Sequence, residues 1–573
     1  MGSFIDRLMA RIRLPAPNAP AMDRETLARS SWGQRVEFGC RTWAEYGYGA
    51  PATIYFAYLI KIVLFILGWL GFCALSPGMG DLTQFTDWAF TKTAFTKAIL
   101  WSILFEGLGL GCSSGPMSGR YVPPIGGCIY FLHRGTAKQA VWPTLPMLGG
   151  QVRSRLDVLL YGTLIMGLIW TLSSASPTSI QLALIAALMG VVGIADKTII
   201  LCMRAEHYWV TLCILLFPSD WVAGAMVVQL SLWFWAGIAK LNAHFPAVVA
   251  VMTSNHPLVR SRRIRRLMYR AYPHDLRPSK LATITAHMGT LIELSIPVLL
   301  VFGDGGTATT VGLALMVMFH VYITSNFPMA VPIEWTVVMV YSAFCLFGHY
   351  AEITIFTLES PIVWTGLTMT ALIIPVVGHI VPRWVSFLWS MRYYAGNWAY
   401  SVWLFNRGAF ETMAKNFPMM AAHPKVQLSR LYDDETATAL MEKVIAFRAM
   451  HLHGRIIQPL LPQAVSTIAD YEYADGEIIA GLLLGWNFGD GHLHDEALLD
   501  IVQSRCGFEP GDLRCIMVES QPLFRWAHDW RIVDAASGRI AEGQITVKAL
   551  LDRQPWPIDT VERFEQKPIQ AEM

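Results

Sequence analysis

Between residues 52 and 380 the chain alternates long apolar stretches with short segments rich in Gly, Pro and charge. A helix needs roughly twenty apolar residues to cross a bilayer. The stretches at about 52–75, 95–112, 157–174, 180–202, 221–242, 281–302, 308–326, 331–347 and 353–380 therefore predict transmembrane helices. The run 207–217 is short for an upright span; it reads as a tenth crossing, a half-helix or an extension of a neighbour. Gly and Pro in 113–133 surround a brief apolar dip, which reads either as a re-entrant loop against a cavity or as a surface loop. Beyond about 400 the hydropathy falls. Residues 427–455 show helical spacing with mixed charge, and 513–523 and 530–550 read as short strands and turns.

This pattern predicts an all-α polytopic membrane bundle of about 9–10 transmembrane helices with a C-terminal soluble α+β region. Its divisions are a polar N-terminal arm (1–49), a multi-span domain (50–399), the soluble region (400–550) and a tail (551–573). Composition agrees: 54% of residues are hydrophobic and 15% charged, against about a quarter charged in soluble domains. A net charge of +2 gives no basic surplus for nucleic acid. The nine cysteines form no CxxC and no zinc spacing; Cys506 and Cys515 lie close enough in sequence to pair. Arginines in 255–280 place that segment in the cytoplasm by the positive-inside rule, with Arg262, Arg263, Arg265 and Arg266 at the membrane surface near anionic headgroups.

Ionisable residues within spans are functional candidates, because each costs about 2.5–3.5 kcal/mol to insert. They are Glu106, Asp196, Lys197, Lys240, His287, Glu293, His320, Glu334 and His379. Lys240 ends an apolar span, where its stem can snorkel to the interface. Ala236 and Gly237 lie one turn back on its face, and Trp233 two turns back. Small residues beside an aromatic wall predict a cavity instead, in which desolvation leaves part of the amine neutral and able to act as a general base. Asp196 and Lys197 point about 100° apart on a helix, so each needs a partner from another span. His207 with Tyr208 and Trp209 reads equally as an interfacial belt. His287 and Glu293 face different sides of their helix and do not form one dyad. His287 and His320 each read as a hydrogen-bonded core histidine; as a pair on two spans they also raise a b-type haem. In 487–496, Asp490, His492, His494, Asp495 and Glu496 suggest either a divalent metal or a solvated turn.

Four segments in order, 196-DKT-198, 233-WFWAGIAKLNAHF-245, 286-AHMGTLIELSIPVLLVF-302 and 319-FHVYITSNF-327, resemble the membrane core (HTTM domain) of the vitamin K-dependent γ-carboxylase family over about 150–350. The resemblance implies a bacterial carboxylase-like member, multi-pass in the plasma (inner) membrane. It implies a reduced quinone, menaquinol or vitamin K hydroquinone, as the lipophilic partner within membrane lipid, with Lys240 as the base and His287 holding the quinol. Trp233, Gly237, Asp196, Lys197, His207, His320 and Asn326 are the accompanying binding candidates. The family's histidine beyond its DKT falls at Met203 without a gap, so His207 carries that role only with a shift. A protein or peptide substrate is also implied, although the resemblance does not extend into 400–573, and the family's topology opposes the arginine count. The expected function is an integral membrane enzyme that activates a quinol for oxygenation or coupled carboxylation. The alternative is a non-catalytic lipid-binding or transport protein.

Overall fold

The computed structural model describes residues 18–111, 126–326, 333–393 and 395–557. In chain order the principal helices are α1 (Trp32–Tyr46), α2 (Ala52–Cys73), α3 (Lys92–Gly107), α4 (Arg155–Ser173), α5 (Ser179–Ala195), α6 (Trp221–Lys240), α7 (Phe245–Asn255), α8 (Lys280–Val301), α9 (Thr307–Ser325), α10 (Ile333–His349), α11 (Pro361–Ile380), α12 (Asp434–Met450), α13 (Leu452–Ala464) and α14 (Gly476–Leu484). Among the described residues six of these, α2, α4, α6, α8, α9 and α11, are long and apolar enough to cross a membrane. α6 is the most enclosed, with most of its apolar stretch buried, whereas α2 and α11 are largely exposed on their outer faces. A helix that is apolar all round and buried belongs at the centre of the bundle.

Three expected spans are shorter than their apolar runs. The 180–202 stretch breaks at Asp196, whose backbone is extended (φ −151°, ψ 99°) and whose carboxylate accepts from Thr198 N at 3.0 Å. A short acidic side chain that caps a new helix ends the previous one. The 95–112 stretch yields only the sixteen residues of α3, enclosed by protein, with Lys97 Nζ donating to Phe72 O at 2.7 Å. The 331–347 stretch forms α10, Ile333–His349, which is among the shorter apolar helices and not among the six spans; the long helix of the 353–380 stretch starts at Pro361, after a 3-10 turn at Ile355–Thr357. The run 207–217 forms a seven-residue buried helix, Tyr208–Ile214, too short to cross alone. Of the loop expected at 113–133, residues up to 125 lie outside the described residues, and Gly126–Phe131 is a short helix. The expected tail lies outside them from 558 onward.

Within the N-terminal arm the first described helix is Arg24–Arg29. α1 opens with a capping box between Ser31 and Gln34 and packs on α7 and α12. Their shared core includes Val36, Trp43, Val251, Leu440 and Phe447. Trp43 Nε1 donates to Val251 O at 3.1 Å, and Lys443 Nζ to Tyr48 O at 2.8 Å. Three of the four arginines expected at headgroups are engaged here as well. Arg262 stacks on Tyr46 (4.4 Å), Arg266 pairs with Glu45, and Arg265 donates to the carbonyls of Glu45, Val259 and His256. The body beside the apolar spans, read here as extramembrane from its polar composition, is therefore assembled from α1, the 245–278 connection and α12.

That connection carries a small hairpin, β1 (Tyr269–Ala271) with β2 (Asp275–Pro278). The C-terminal region builds an antiparallel sheet from β3 (Tyr400–Asn406), β4 (Tyr471–Asp475), β5 (Leu513–Val518), β6 (Ala527–Asp534) and β7 (Gly538–Thr546), in the order β4-β3-β5-β6-β7. β3 pairs Val402 with Asp475 on one side and with Ile516 on the other. All but its last residue are buried. Covered on both faces, it shows no apolar–polar alternation in sequence. Cys506 and Cys515 are free thiols.

Candidate functional site

α6 packs on α8, and Gly237 stands at their contact: a Cβ there would stand 2.5 Å from Leu294 Cδ2. Gly237 thus faces α8 rather than an open space. One turn on, Lys240 Nζ lies 2.6 Å from both carboxylate oxygens of Glu293, and both side chains are buried (7% and 3% exposed). The Phe245 and Phe319 rings each stand 5.9 Å from the ammonium. Lys240 is the last residue of α6, where the free carbonyls of the final turn favour a cation. The chain then breaks over Leu241–His244 before α7. Asn242 Nδ2 donates to Ala395 O at 3.3 Å, and its Oδ1 accepts from the backbone N–H groups of His244 and Phe245. His244 reaches His528 of β6, Nε2 to Nε2, at 2.8 Å. Nδ1 of His528 is bound to the Glu519 carbonyl, which only accepts, so His528 accepts at Nε2 and His244 donates.

The Lys240–Glu293 pair borders a cavity of about 430 Å³, within the range of small-molecule sites. Its walls are mainly apolar. α6 contributes Leu232, Trp233 and Ala236. α8 contributes positions 285, 288, 289, 292 and 293, a single stripe at three- and four-residue spacing. α9 contributes Phe319, His320 and Tyr322, its C-cap is Asn326, which also lines the cavity, and α10 contributes Trp335 and Met339. Arg204 also borders it. This fully buried residue is in the left-handed region (φ 54°), stacks between Trp335 (4.5 Å) and Tyr393 (5.4 Å), and donates to Glu206 at 2.9 Å. Met288 and Met318 both line the cavity and are 52% and 62% exposed. They lie thirteen and eleven residues from the α8–α9 turn, roughly 20 and 17 Å along their helices. The cavity therefore opens sideways at the middle of the apolar spans.

The expected residues divide. Lys240, Trp233, His320 and Asn326 line this cavity. His320 Nδ1 is 3.0 Å from Met316 O and its ring meets Trp233 edge-on. Asn326 Nδ2 donates to Tyr322 O at 2.7 Å, while its Oδ1 is buried without a partner among the described residues. His207 stands behind the wall, where Nδ1 accepts from Trp335 Nε1 at 2.9 Å. Met203 is fully buried close to Gly107. Asp196 and Lys197 are elsewhere. Asp196 pairs with Arg153 at 2.7 Å, and neither Asp196 nor Lys197 lines the cavity. His287 falls outside the lining stripe of α8 and is exposed on the outer face, so it meets neither Lys240 nor His320. That outward placement separates the two histidines of the haem reading. Glu293, set aside from any dyad with His287, is the partner of Lys240.

The 487–496 loop is held largely by partners outside it, and among the described residues no group of three or more His, Cys, Asp or Glu is arranged to hold a metal. His492 Nε2 is 3.1–3.2 Å from both Glu519 oxygens. His494 Nδ1 meets Ser401 Oγ at 2.6 Å, and Asp495 caps the following helix. Burial pulls His492 down, but the Glu519 and Asp490 carboxylates outweigh it and hold the imidazole up at about 10. Burial pushes Glu519 up, but His492 and the Ser520 N–H outweigh it and hold the carboxyl at about 2. A raised histidine stabilises below its ordinary value of 6.5 and loses this as pH climbs through 10; a lowered carboxyl stabilises above its ordinary 4.5 and loses this as pH falls toward 2. The stability advantage of the parent over His492→Asn is accordingly expected to peak between pH 4.5 and 6.5 and to shrink on both sides, read by thermal unfolding across pH. A constant difference across that range would contradict the pairing.

A family model described as transmembrane protein of unknown function (DUF3556) matches residues 13–564. The chain belongs to that family. No curated protein and no solved structure matches it. The DUF3556 match covers membrane body and sheet region together, so the Lys240–Glu293 cavity and the C-terminal sheet belong to one family unit. Nothing in these matches links the DUF3556 chain to the carboxylase family.

Proposed function

We propose that this membrane protein is an enzyme that binds a lipophilic quinol in the α6–α10 cavity and uses the Lys240–Glu293 pair to take up a hydroxyl proton. One observation carries the reading: a buried ion pair forms part of the wall of an apolar cavity that opens between α8 and α9, part-way along their apolar lengths. An aromatic headgroup fits between Trp233, Phe245 and Phe319, and an isoprenoid tail leaves between Met288 and Met318. The amine has a counter-charge, so base chemistry runs through the pair: the hydroxyl proton passes to Nζ as the amine's own proton sits on the Glu293 carboxyl. The bound quinol supplies the reducing electrons, and molecular oxygen is the acceptor. This is the chemistry that the carboxylase-like motifs around Lys240 suggest; a coupled carboxylation of a protein or peptide is the more distant extension. The basic 255–280 segment favours a cytoplasmic position for the extramembrane body in a bacterial inner membrane. The second reading, a non-catalytic lipid-binding or transport protein, draws on the same sideways opening.

Protein purified in mild detergent is expected to release a quinone into organic solvent, identified by its ultraviolet spectrum and mass. Ala236→Trp, which fills the cavity beside Lys240, is expected to lose most of that quinone while keeping the parent's helical content. An extract holding phospholipid and no quinone would remove the quinol reading and leave the lipid carrier.

A further inference from the structure

The end of α11 carries an exposed apolar cluster that takes no part in the quinol reading. In the loop between β5 and β6, Leu523 N donates to His379 O at 2.8 Å, one residue before the last of α11. Leu523 is exposed, as are Phe524 (79%) and Trp526 (64%); Trp384, four residues beyond the helix, is 70% exposed. Among the described residues beyond 400, five large apolar side chains are exposed, and three of them are in this one loop. Single apolar side chains on a surface are ordinary. A cluster of them marks the place where something else sits.

The position of the cluster says what that is. It continues the outer face of α11, where Ile362, Trp364, Met369, Leu372, Ile373 and Ile380 are exposed. That face belongs to a helix long and apolar enough to cross a membrane. The loop's end of α11 is also the Lys240 end of α6: Trp235 Nε1 donates to Ala371 O at 2.8 Å, and its ring lies 5.2 Å from His379. From that end of α6 the chain reaches the sheet through the contact between His244 and His528. The loop therefore stands where the spans meet the sheet region. Tryptophan gathers where a spanning segment leaves hydrocarbon, because its ring is apolar and its N–H seeks a polar partner. Arg525 is paired with Asp529, whereas Arg383, beside Trp384, is exposed with no acidic partner among the described residues. The charge left over on 382–384 and 522–526 is positive, the sign that lipid phosphates attract. A partner protein would have no need of a cluster in register with the end of a span.

We infer that the β5–β6 loop and Trp384 form an interfacial anchor for bilayer phospholipid. Phe524 and Trp526 enter the boundary between headgroups and acyl chains beside the end of α11, and Arg383 faces the phosphates. The anchor holds the sheet region against the lipid surface and fixes the depth of α11.

The test uses the full chain in nanodiscs of phosphatidylcholine and phosphatidylglycerol. The photoreactive residue p-benzoylphenylalanine, which inserts into neighbouring C–H bonds on irradiation, is placed in turn at Phe524, at Met369 on the outer face of α11, and at Ser537 in the β6–β7 turn. Met369 is the lipid-facing standard. Ser537 is exposed, and the eight residues of β6, roughly 26 Å of strand, separate it from the loop. Phospholipid adducts on each peptide are counted by mass spectrometry. Expected at Phe524 is a yield close to that at Met369 and about tenfold above that at Ser537. A yield at Phe524 no greater than at Ser537 would overturn the inference. Cross-linking of position 524 to a second chain in place of lipid would overturn it in favour of a dimer contact.

Discussion

Glu293→Leu, with Lys240 retained, is expected to destabilise the membrane body by about 3–5 kcal/mol, the cost of leaving one partner of a buried ion pair alone. The Lys240 side chain is 7% exposed and borders an apolar cavity, so its ammonium has little water to turn to. The double variant Lys240→Met/Glu293→Leu removes both charges, and its stability is expected to return to within about 1–2 kcal/mol of the parent, since well-packed apolar replacements of buried pairs are often neutral. Thermal or denaturant unfolding in a single detergent measures all three proteins. The double variant also separates the pair's structural part from its chemistry: under the quinol reading it folds, retains the quinone and turns nothing over. If Glu293→Leu alone is as stable as the double variant, the two side chains are not coupled as their 2.6 Å contacts require.

A comparable loss is expected at Arg153→Met, on the other side of the bundle. Arg153 is 1% exposed. Its guanidinium donates to Asp196 Oδ2, Thr136 Oγ1 at 3.0 Å and Leu484 O at 2.9 Å, and stacks over Phe131 at 4.8 Å. One side chain thus ties the break between α5 and the next helix to the C-terminal end of α14. Its removal strands the Asp196 carboxylate and leaves the Leu484 carbonyl without this donor, a loss of about 3–5 kcal/mol. Adding Asp196→Asn is expected to recover part of it, because an amide oxygen can still cap Thr198 without a buried charge. Limited proteolysis is the second readout: cleavage in 485–495 should accelerate in Arg153→Met and slow again in the double variant. Unchanged proteolysis and unfolding would show that this junction is held by other contacts.

The sequence displayed the spans because twenty apolar residues are hard to place anywhere but in lipid or a core, and the edges of α2, α6, α8 and α9 lie close to their apolar runs. It did not display the break at Asp196, since an acidic residue within an apolar run reads equally as a buried site or as a cap until its partner Arg153 is known. β3 was hidden for the opposite reason: buried on both faces, 400-YSVWLFN-406 lacks the alternation by which a half-buried strand is recognised. At the candidate site, Trp233 and Lys240 share a helix and their common face follows from spacing alone. Glu293 lies on another helix, fifty-three residues on, and its level opposite Lys240 depends on how α6 and α8 pack. His287 and Gly237 were misplaced by less than one turn, because helical spacing fixes which residues share a face but not which face meets a neighbour.

The extramembrane body closes around contacts between segments far apart in the chain. Arg35 of α1 meets Glu442 of α12 across 407 residues. At about 5–20 residues per second, synthesis separates those two side chains by roughly 20–80 s. During that interval the bundle is being threaded into the bilayer while the apolar stripe of α1 (Val36, Cys40, Trp43) has no cover from α12. A nascent chain stopped before residue 434 has α7 but not α12 to cover that stripe, so truncation there is expected to leave part of α1 open to protease.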